Sequence, residues 1–344
     1  MKLPNLTQKP AYSAIITGLL GLGIGIGGSW WHYNHQPPVT YNPVRLSDTH
    51  YSFIAPLLYT EVPESLSFPT YTPLKNTLTN YTNAALTNKS VDSVAVYMRD
   101  MNTGHWIGIN QTETFSPASM LKVVALIAYY HSAESFPPLL TGKITIPAGI
   151  PNDSSQDFFP PKDPITAGKT YAASDLLTHM IVDSDNIAAT AISAYVGDPA
   201  MKQTFTDLHL PLPTSDTEDI DTAQQYSHLY RVLYNGTYLS QDDSEKALKL
   251  LSQTSYIGGL VAGVPAGTQV AHKFGERSVV TTSSTDATNS VSRELHDCGI
   301  VYYPGHPYFI CVMTKGSDFT KLQDVIKNIS AQVWTGESVL YPMK

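Results

Sequence analysis

The chain has 344 residues, 42% of them hydrophobic and 15% charged, with a formal net charge of −8. This length and hydrophobic content suffice for one large or two modest domains with a buried core. Nucleic acid is not an expected partner, because phosphate contacts need clustered lysine and arginine and no basic run follows residue 9.

The first 35 residues predict a membrane anchor. Residues 11–31 are uncharged, and as a helix they would match the hydrocarbon layer of about 30 Å. Lys2 and Lys9 precede this stretch, which favours a cytoplasmic N-terminus and a body outside the membrane. No small-residue cleavage site follows, so we expect an uncleaved anchor rather than a signal peptide. The body is then expected on the bacterial cell surface or in the periplasm.

Residues 36–72 are rich in proline and tyrosine and predict a linker that packs on the domain surface. A helix near residues 73–88 and a β-hairpin with its turn at 102–104 come next. From residue 117 to about 255 the pattern is mostly helical. Strands return at 268–273 and in a hairpin at 298–314, and an amphipathic helix closes the chain.

This order of elements predicts an α+β fold with two lobes. A sheet lobe would combine residues 73–116 and 265–344 as one antiparallel sheet flanked by the terminal helices, with an all-helical lobe, 117–264, inserted between them. Clefts form where two lobes meet, so we expect the functional site at their junction.

The two cysteines, Cys298 and Cys311, lie in the last hairpin, and their pairing depends on its register. If Tyr303 pairs with Tyr308 across the turn, Cys298 faces Met313 and the cysteines are diagonal neighbours. Diagonal neighbours are poorly placed for a disulfide. We therefore expect two buried free thiols, with a disulfide as the alternative.

Ser119 and Lys122 form the single S-x-x-K pattern of the chain, at the start of a predicted buried helix. Residues three apart on a helix share a face, so the lysine amine can reach the serine hydroxyl. The helix N-terminus would direct backbone N–H groups at this nucleophile, and a lysine held in an apolar lobe becomes a usable general base. The alternative interpretation is a capping serine followed by a surface lysine.

Two further short patterns carry groups suited to the same chemistry. An S-D-N sequence at 184–186 lies between two predicted helices, where a hydroxyl and an amide can move a proton and hold a carbonyl. A K-F-G sequence at 273–275 ends a predicted strand, with a fixed positive charge and a glycine that permits close approach. Taken singly, the first is equally a helix cap and the second an ordinary strand end.

Together, S-x-x-K at 119–122, S-D-N at 184–186 and K-x-G at 273–275 resemble the signature of class A β-lactamases and penicillin-binding proteins in order and in context. The resemblance to the class A β-lactamase family covers about residues 73–340. It implies the two-lobed fold for a catalytic domain at 73–344. It also implies a serine hydrolase that acts on β-lactam amides through an acyl-enzyme.

The resemblance assigns the proton-transfer roles to three residues. Ser119 attacks the amide carbonyl, Lys122 takes its proton, and Ser184 passes a proton to the leaving nitrogen. Lys273 tunes Ser184 and steers the carboxylate of the substrate.

The resemblance also assigns the binding roles. Asn186 holds the side-chain amide of the substrate, and Phe274 and Gly275 lie beside it. The backbone N–H groups of Ser119 and Glu276 form the oxyanion hole. The family usually has Thr or Ser where this chain has Phe274, and that hydroxyl helps to bind a carboxylate. Phenylalanine cannot, so carboxylate recognition is put in doubt.

A second departure concerns the removal of the acyl group. Class A enzymes carry an E-x-x-L-N glutamate that activates the deacylating water, and this chain lacks the pattern between Leu210 and Asp221. Glu218 is a candidate base in that short loop, and a solvated acidic turn is the alternative. The missing glutamate predicts slow deacylation.

Two other functions remain open. One is a penicillin-binding-type D,D-peptidase that acts on cell-wall peptides, and the other is a non-catalytic wall-binding module, which the intact set of motif residues argues against. We expect no cofactor and no metal, because the histidines, cysteines and acidic residues fit no zinc spacing. The oligomeric state is not predicted.

Overall fold

The computed structural model describes residues 44–45, 50–59, 68–150, 156–214, 218–282 and 289–343. The predicted anchor at 1–35 lies outside these residues. Within the described part of the chain, no helix is long and apolar enough to cross a membrane.

The strands, in chain order, are β1 (Val44–Arg45), β2 (Leu57–Tyr59), β3 (Ser93–Asp100), β4 (Trp106–Ile109), β5 (Thr114–Phe115), β6 (Lys143–Thr145), β7 (Thr170–Ala172), β8 (Asp221–Thr222), β9 (Val270–Thr282), β10 (Asn289–Val301) and β11 (Tyr308–Gly316). The α-helices are α1 (Thr72–Thr87), α2 (Lys122–Ser135), α3 (Ala173–Val182), α4 (Asn186–Val196), α5 (Asp198–Asp207), α6 (Ala223–Asn235), α7 (Gln241–Leu251) and α8 (Phe319–Leu340).

The central sheet has five antiparallel strands in the order β4-β3-β11-β10-β9. Its strands come from the two ends of the described chain, and helices α2–α7 lie between them in sequence. This confirms the predicted α+β fold with a sheet, terminal helices and a helical region inserted between the strands.

Two hydrophobic cores hold this arrangement together. Helices α1 and α8 pack on each other, and α8 packs on β10 and β11 through the apolar stripe that includes Leu322, Ile326 and Ile329. Helix α6 packs on the same strands within the second core, which also contains α2. Helix α2 is apolar on nearly all sides because α3, α4 and α5 surround it.

Local signals fix several helix ends. Ser240, Thr222 and Asp318 each accept a backbone N–H as the N-cap of α7, α6 and α8. Gly236 ends α6 in the left-handed region, with φ of 58°.

The last hairpin differs from the prediction in its register. Val301 pairs with Tyr308, so the turn is longer than expected and Cys298 lies directly opposite Cys311. The two cysteines form a disulfide, and the expectation of free thiols was wrong. The error follows from the register, because a shift in pairing changes which residue faces each cysteine.

Candidate active site

Ser119 lies in a short 3-10 helix, Ala118–Leu121, that leads directly into α2. Lys122 Nζ donates to Ser119 Oγ at 2.8 Å, which confirms that the two side chains share a face. The predicted α-helical turn is a 3-10 turn instead. Ala118 has a φ of 48°, a left-handed conformation that costs a non-glycine residue about 1–3 kcal/mol and is found most often at functional sites.

Lys122 links the nucleophile to the S-D-N turn. Its ammonium, only 7% exposed, donates to the Ser184 carbonyl, to Ser184 Oγ at 3.1 Å and to Asn186 Oδ1 at 2.5 Å. The sequence therefore placed these residues correctly in one site, although they are more than 60 residues apart.

The S-D-N turn positions Ser184 through its backbone. Ser184 has a φ of 60° and is fully buried. Asp185 caps α4 by accepting the Ala188 N–H at 2.7 Å, and its second oxygen accepts the Ile165 N–H at 3.0 Å. The capping interpretation and the functional one are therefore both correct, for different residues of the motif.

Lys273 reaches the same turn from the edge strand β9. Its ammonium donates to Ser184 Oγ at 2.8 Å and to the Phe274 carbonyl at 2.9 Å, and it is 0% exposed. Burial lowers the pKa of Lys273 well below its ordinary value, and the nearby charge of Lys122 lowers it further.

Gly275 allows β9 to lie against the nucleophile segment. A Cβ at this position would be 2.8 Å from the Pro117 carbonyl oxygen and 3.0 Å from Met120 Cγ. The neighbour that requires glycine here is thus the chain itself. Tyr226 Oη supports the same segment by donating to the Met120 carbonyl at 2.9 Å.

The histidines and carboxylates of β9 and β10 make structural contacts. His272 Nδ1 lies 2.7 Å from Asp297 Oδ1 inside the protein. Glu294 accepts the Ser116 N–H at 3.1 Å, and His296 Nε2 contacts the Ser116 carbonyl at 3.0 Å. In the described residues, no three such side chains are arranged to hold a metal ion.

Two predicted site residues make other contacts than those expected. The Glu276 carboxylate, 6% exposed, accepts the backbone N–H groups of Phe158 and Phe159 at 2.8 and 2.9 Å. Glu218 accepts the N–H and hydroxyl of Thr214 at 2.9 and 2.6 Å. The oxyanion role of the Glu276 backbone and the deacylation role of Glu218 stay predictions.

The fold and the site define an enzyme class in which a serine is activated by a lysine at a junction of sheet and helices. The model of the Beta-lactamase enzyme family matches residues 74–336. The chain belongs to this family and is a serine hydrolase of the β-lactamase type.

Solved structures share the fold. PBP-A, for which a complex acylated by penicillin G is known, matches 81% of this chain and 100% of its own, with a TM-score of 0.64 and 18% identity. A β-lactamase from Sphaerobacter thermophilus matches 77% and 98%, with 0.64 and 20% identity. A class A β-lactamase from Mycobacterium abscessus matches 76% and 98%, with 0.60 and 20% identity. No curated protein sequence matches the chain.

Proposed function

We propose that the protein opens β-lactam amides through an acyl-enzyme on Ser119. The observation that carries this proposal is a continuous hydrogen-bond path from Ser119 Oγ through Lys122 Nζ and Ser184 Oγ to Lys273 Nζ, with steps of 2.8, 3.1 and 2.8 Å. A path of this kind connects the proton of the attacking hydroxyl with the nitrogen that must receive a proton.

Acylation follows along this path. Ser119 Oγ attacks the carbonyl carbon and its proton moves to Lys122, which acts as a neutral amine. The carbonyl oxygen becomes negative and is stabilised by backbone N–H groups. When the C–N bond breaks, the nitrogen takes a proton from Ser184, and Lys122 returns its proton to Ser184. The net change is an ester on Ser119 and a protonated leaving nitrogen, and water later hydrolyses the ester.

The first prediction tests the nucleophile. Incubation with a penicillin should add the mass of the antibiotic to wild-type protein and to Ser132→Ala, which removes a partly exposed hydroxyl of α2. Ser119→Ala should stay unmodified. Intact-protein mass spectrometry measures both, and labelling that persists in Ser119→Ala would contradict the proposal.

A second candidate function is a penicillin-binding-type D,D-peptidase with slow deacylation. The specific observation in its favour is the loop before β8, in which Glu218 binds Thr214. General-base assistance is typically worth about 10²–10⁴ in rate, so a site without a base that activates water accumulates its acyl-enzyme.

The second prediction therefore concerns turnover. With a chromogenic cephalosporin in stopped flow, wild-type protein should give a burst followed by a slow steady rate, and Glu218→Gln should behave in the same way. A burst-free wild type that slows by orders of magnitude in Glu218→Gln would identify Glu218 as the base and refute slow deacylation.

A further inference from the structure

The nucleophile and the cation of the site differ in their access to solvent. Ser119 is partly exposed, whereas Lys273 is fully buried. A substrate can therefore reach the reacting hydroxyl without reaching the ammonium that would bind a carboxylate.

The Lys273 ammonium is also engaged by its own surroundings. It donates to Ser184 Oγ and to the Phe274 carbonyl, and it lies 4.1 Å from the centre of the Phe274 ring. The carboxylates of Asp297 and Glu276 act on it electrostatically and offset its positive charge. A cation shielded and neutralised in this way offers little attraction to a substrate anion.

Aromatic side chains occupy the space beside this cation. Phe274 is 0% exposed and packs on Tyr256, with ring centres 4.5 Å apart. Phe159 contacts both rings edge-on, with centres 5.3 Å from each. Phe159 is itself partly exposed, so the outer surface of the cluster is apolar.

Glu276 fixes the loop that supplies Phe159. Its two carboxylate oxygens accept the N–H groups of Phe158 and Phe159, one each. Charge-assisted hydrogen bonds of this kind are about twice as strong as neutral ones. The loop is thereby tied to β9, directly after Gly275, and Phe159 is held against Phe274.

We infer that this aromatic cluster, formed by Phe159, Tyr256 and Phe274 and fixed by Glu276, selects substrates that carry an uncharged group, rather than a carboxylate, next to the scissile bond. The inference rests on the proposed function of Ser119 and names the substrate class of the same site. A carboxylate placed against the cluster would lose its hydration without gaining a partner, whereas an uncharged group packs on Phe159 at no such cost.

The test uses two thioesters with the same acyl group. One has a thioglycolate leaving group, which ends in a carboxylate, and the other has the corresponding uncharged thioglycolamide. In each case Ser119 becomes acylated, the C–S bond breaks and the thiol leaves with a proton. The rate constant for thiol release per enzyme and substrate concentration is measured for each.

Wild-type protein should react with the amide about tenfold faster or more, a ratio that corresponds to about 1.4 kcal/mol. Phe159→Ala and Phe274→Thr should lower this ratio towards one, and Glu276→Ala should lower it more than the conservative Glu276→Gln. Phe136→Ala, which removes a surface ring that is 59% exposed, should keep the wild-type ratio.

Two outcomes would overturn the inference: a wild type that prefers the carboxylate thioester, or a preference for the amide that neither Phe159→Ala nor Phe274→Thr changes. Labelling of Ser119 by a small fluorophosphonate is measured in parallel, because it requires the nucleophile but no group beside Lys273. Failure of this labelling in wild type would refute the proposed function, and normal labelling of the variants shows that their sites are folded.

Discussion

Glu337 lies on the inner side of α8, fully buried and within electrostatic reach of the buried Asp100. Burial raises the pKa of Glu337 to about 8, the Asp100 charge raises it further, and a hydrogen bond with Tyr71 opposes the shift. Between its ordinary value of 4.5 and about 8, the folded protein therefore holds a proton that the unfolded chain has released. Stability must fall as the pH rises through this range.

The third prediction follows from this sign. The free energy of unfolding of wild type should decrease by on the order of 2–4 kcal/mol between pH 5 and pH 8 through this group alone. Glu337→Gln should flatten that decrease. Asp324→Asn, on the exposed side of the same helix, should keep the wild-type slope. Urea unfolding at several pH values measures it, and equal slopes for all three proteins would contradict the assignment.

The residue scale also shows what the motifs can and cannot predict. Ser119, Lys122, Ser184 and Lys273 were predicted as one site because each motif has a fixed chemical pattern, and their hydrogen bonds join them. The left-handed backbone of Ala118 and Ser184 was not predicted, because ordinary side chains give no sign of strain imposed by their neighbours. The second role of Glu276, as the acceptor for the Phe158 loop, depends on a contact across 117 residues and has no local signal.

At the scale of elements, the sequence predicted the helices better than the strands. Helix bounds agree within one or two residues where caps and a 3.6-residue period are clear, as in α4 and α8. Strands β9 and β10 extend much further than expected. Their outer halves contain Ser, Thr and Arg in place of a regular apolar alternation, and it is pairing in the hairpin that makes them strands.

The fourth prediction concerns the disulfide between β10 and β11. It closes a loop with a sequence separation of 13, for which the entropy of the unfolded chain predicts about 3 kcal/mol of stabilisation. A reducing agent should lower the urea midpoint of wild type accordingly. The double variant Cys298→Ala with Cys311→Ala should unfold at a lower urea concentration in either condition and be insensitive to the reducing agent. A wild-type midpoint unchanged by reduction would contradict it.

For the whole molecule, the disulfide and the uncharged stretch at 11–31 support the same location. Disulfides persist in oxidising compartments outside the cytoplasm, and the stretch follows two lysines and carries no charge. We propose that the domain lies outside the membrane and stays attached to it.

The fifth prediction tests this location. Chain recovered from the membrane fraction of cells should contain residues 1–35, and both cysteines should resist thiol reagents until they are reduced. A mature chain without these residues, or cysteines that react without reduction, would refute an oxidised and anchored protein.

The pairing of β3 with β11 has a consequence for how the protein folds. It joins residues 93–100 to residues 308–316, so the two strands nearest the middle of the sheet meet only after more than 200 residues have been brought together. Closing so long a loop is slow compared with helix formation and hairpin pairing. Helices α2–α7 can therefore form early, but the Lys273 strand docks on the Ser119 segment only as the sheet closes. Reactivity of the serine should thus be one of the last properties acquired during refolding, well after most of the helical signal.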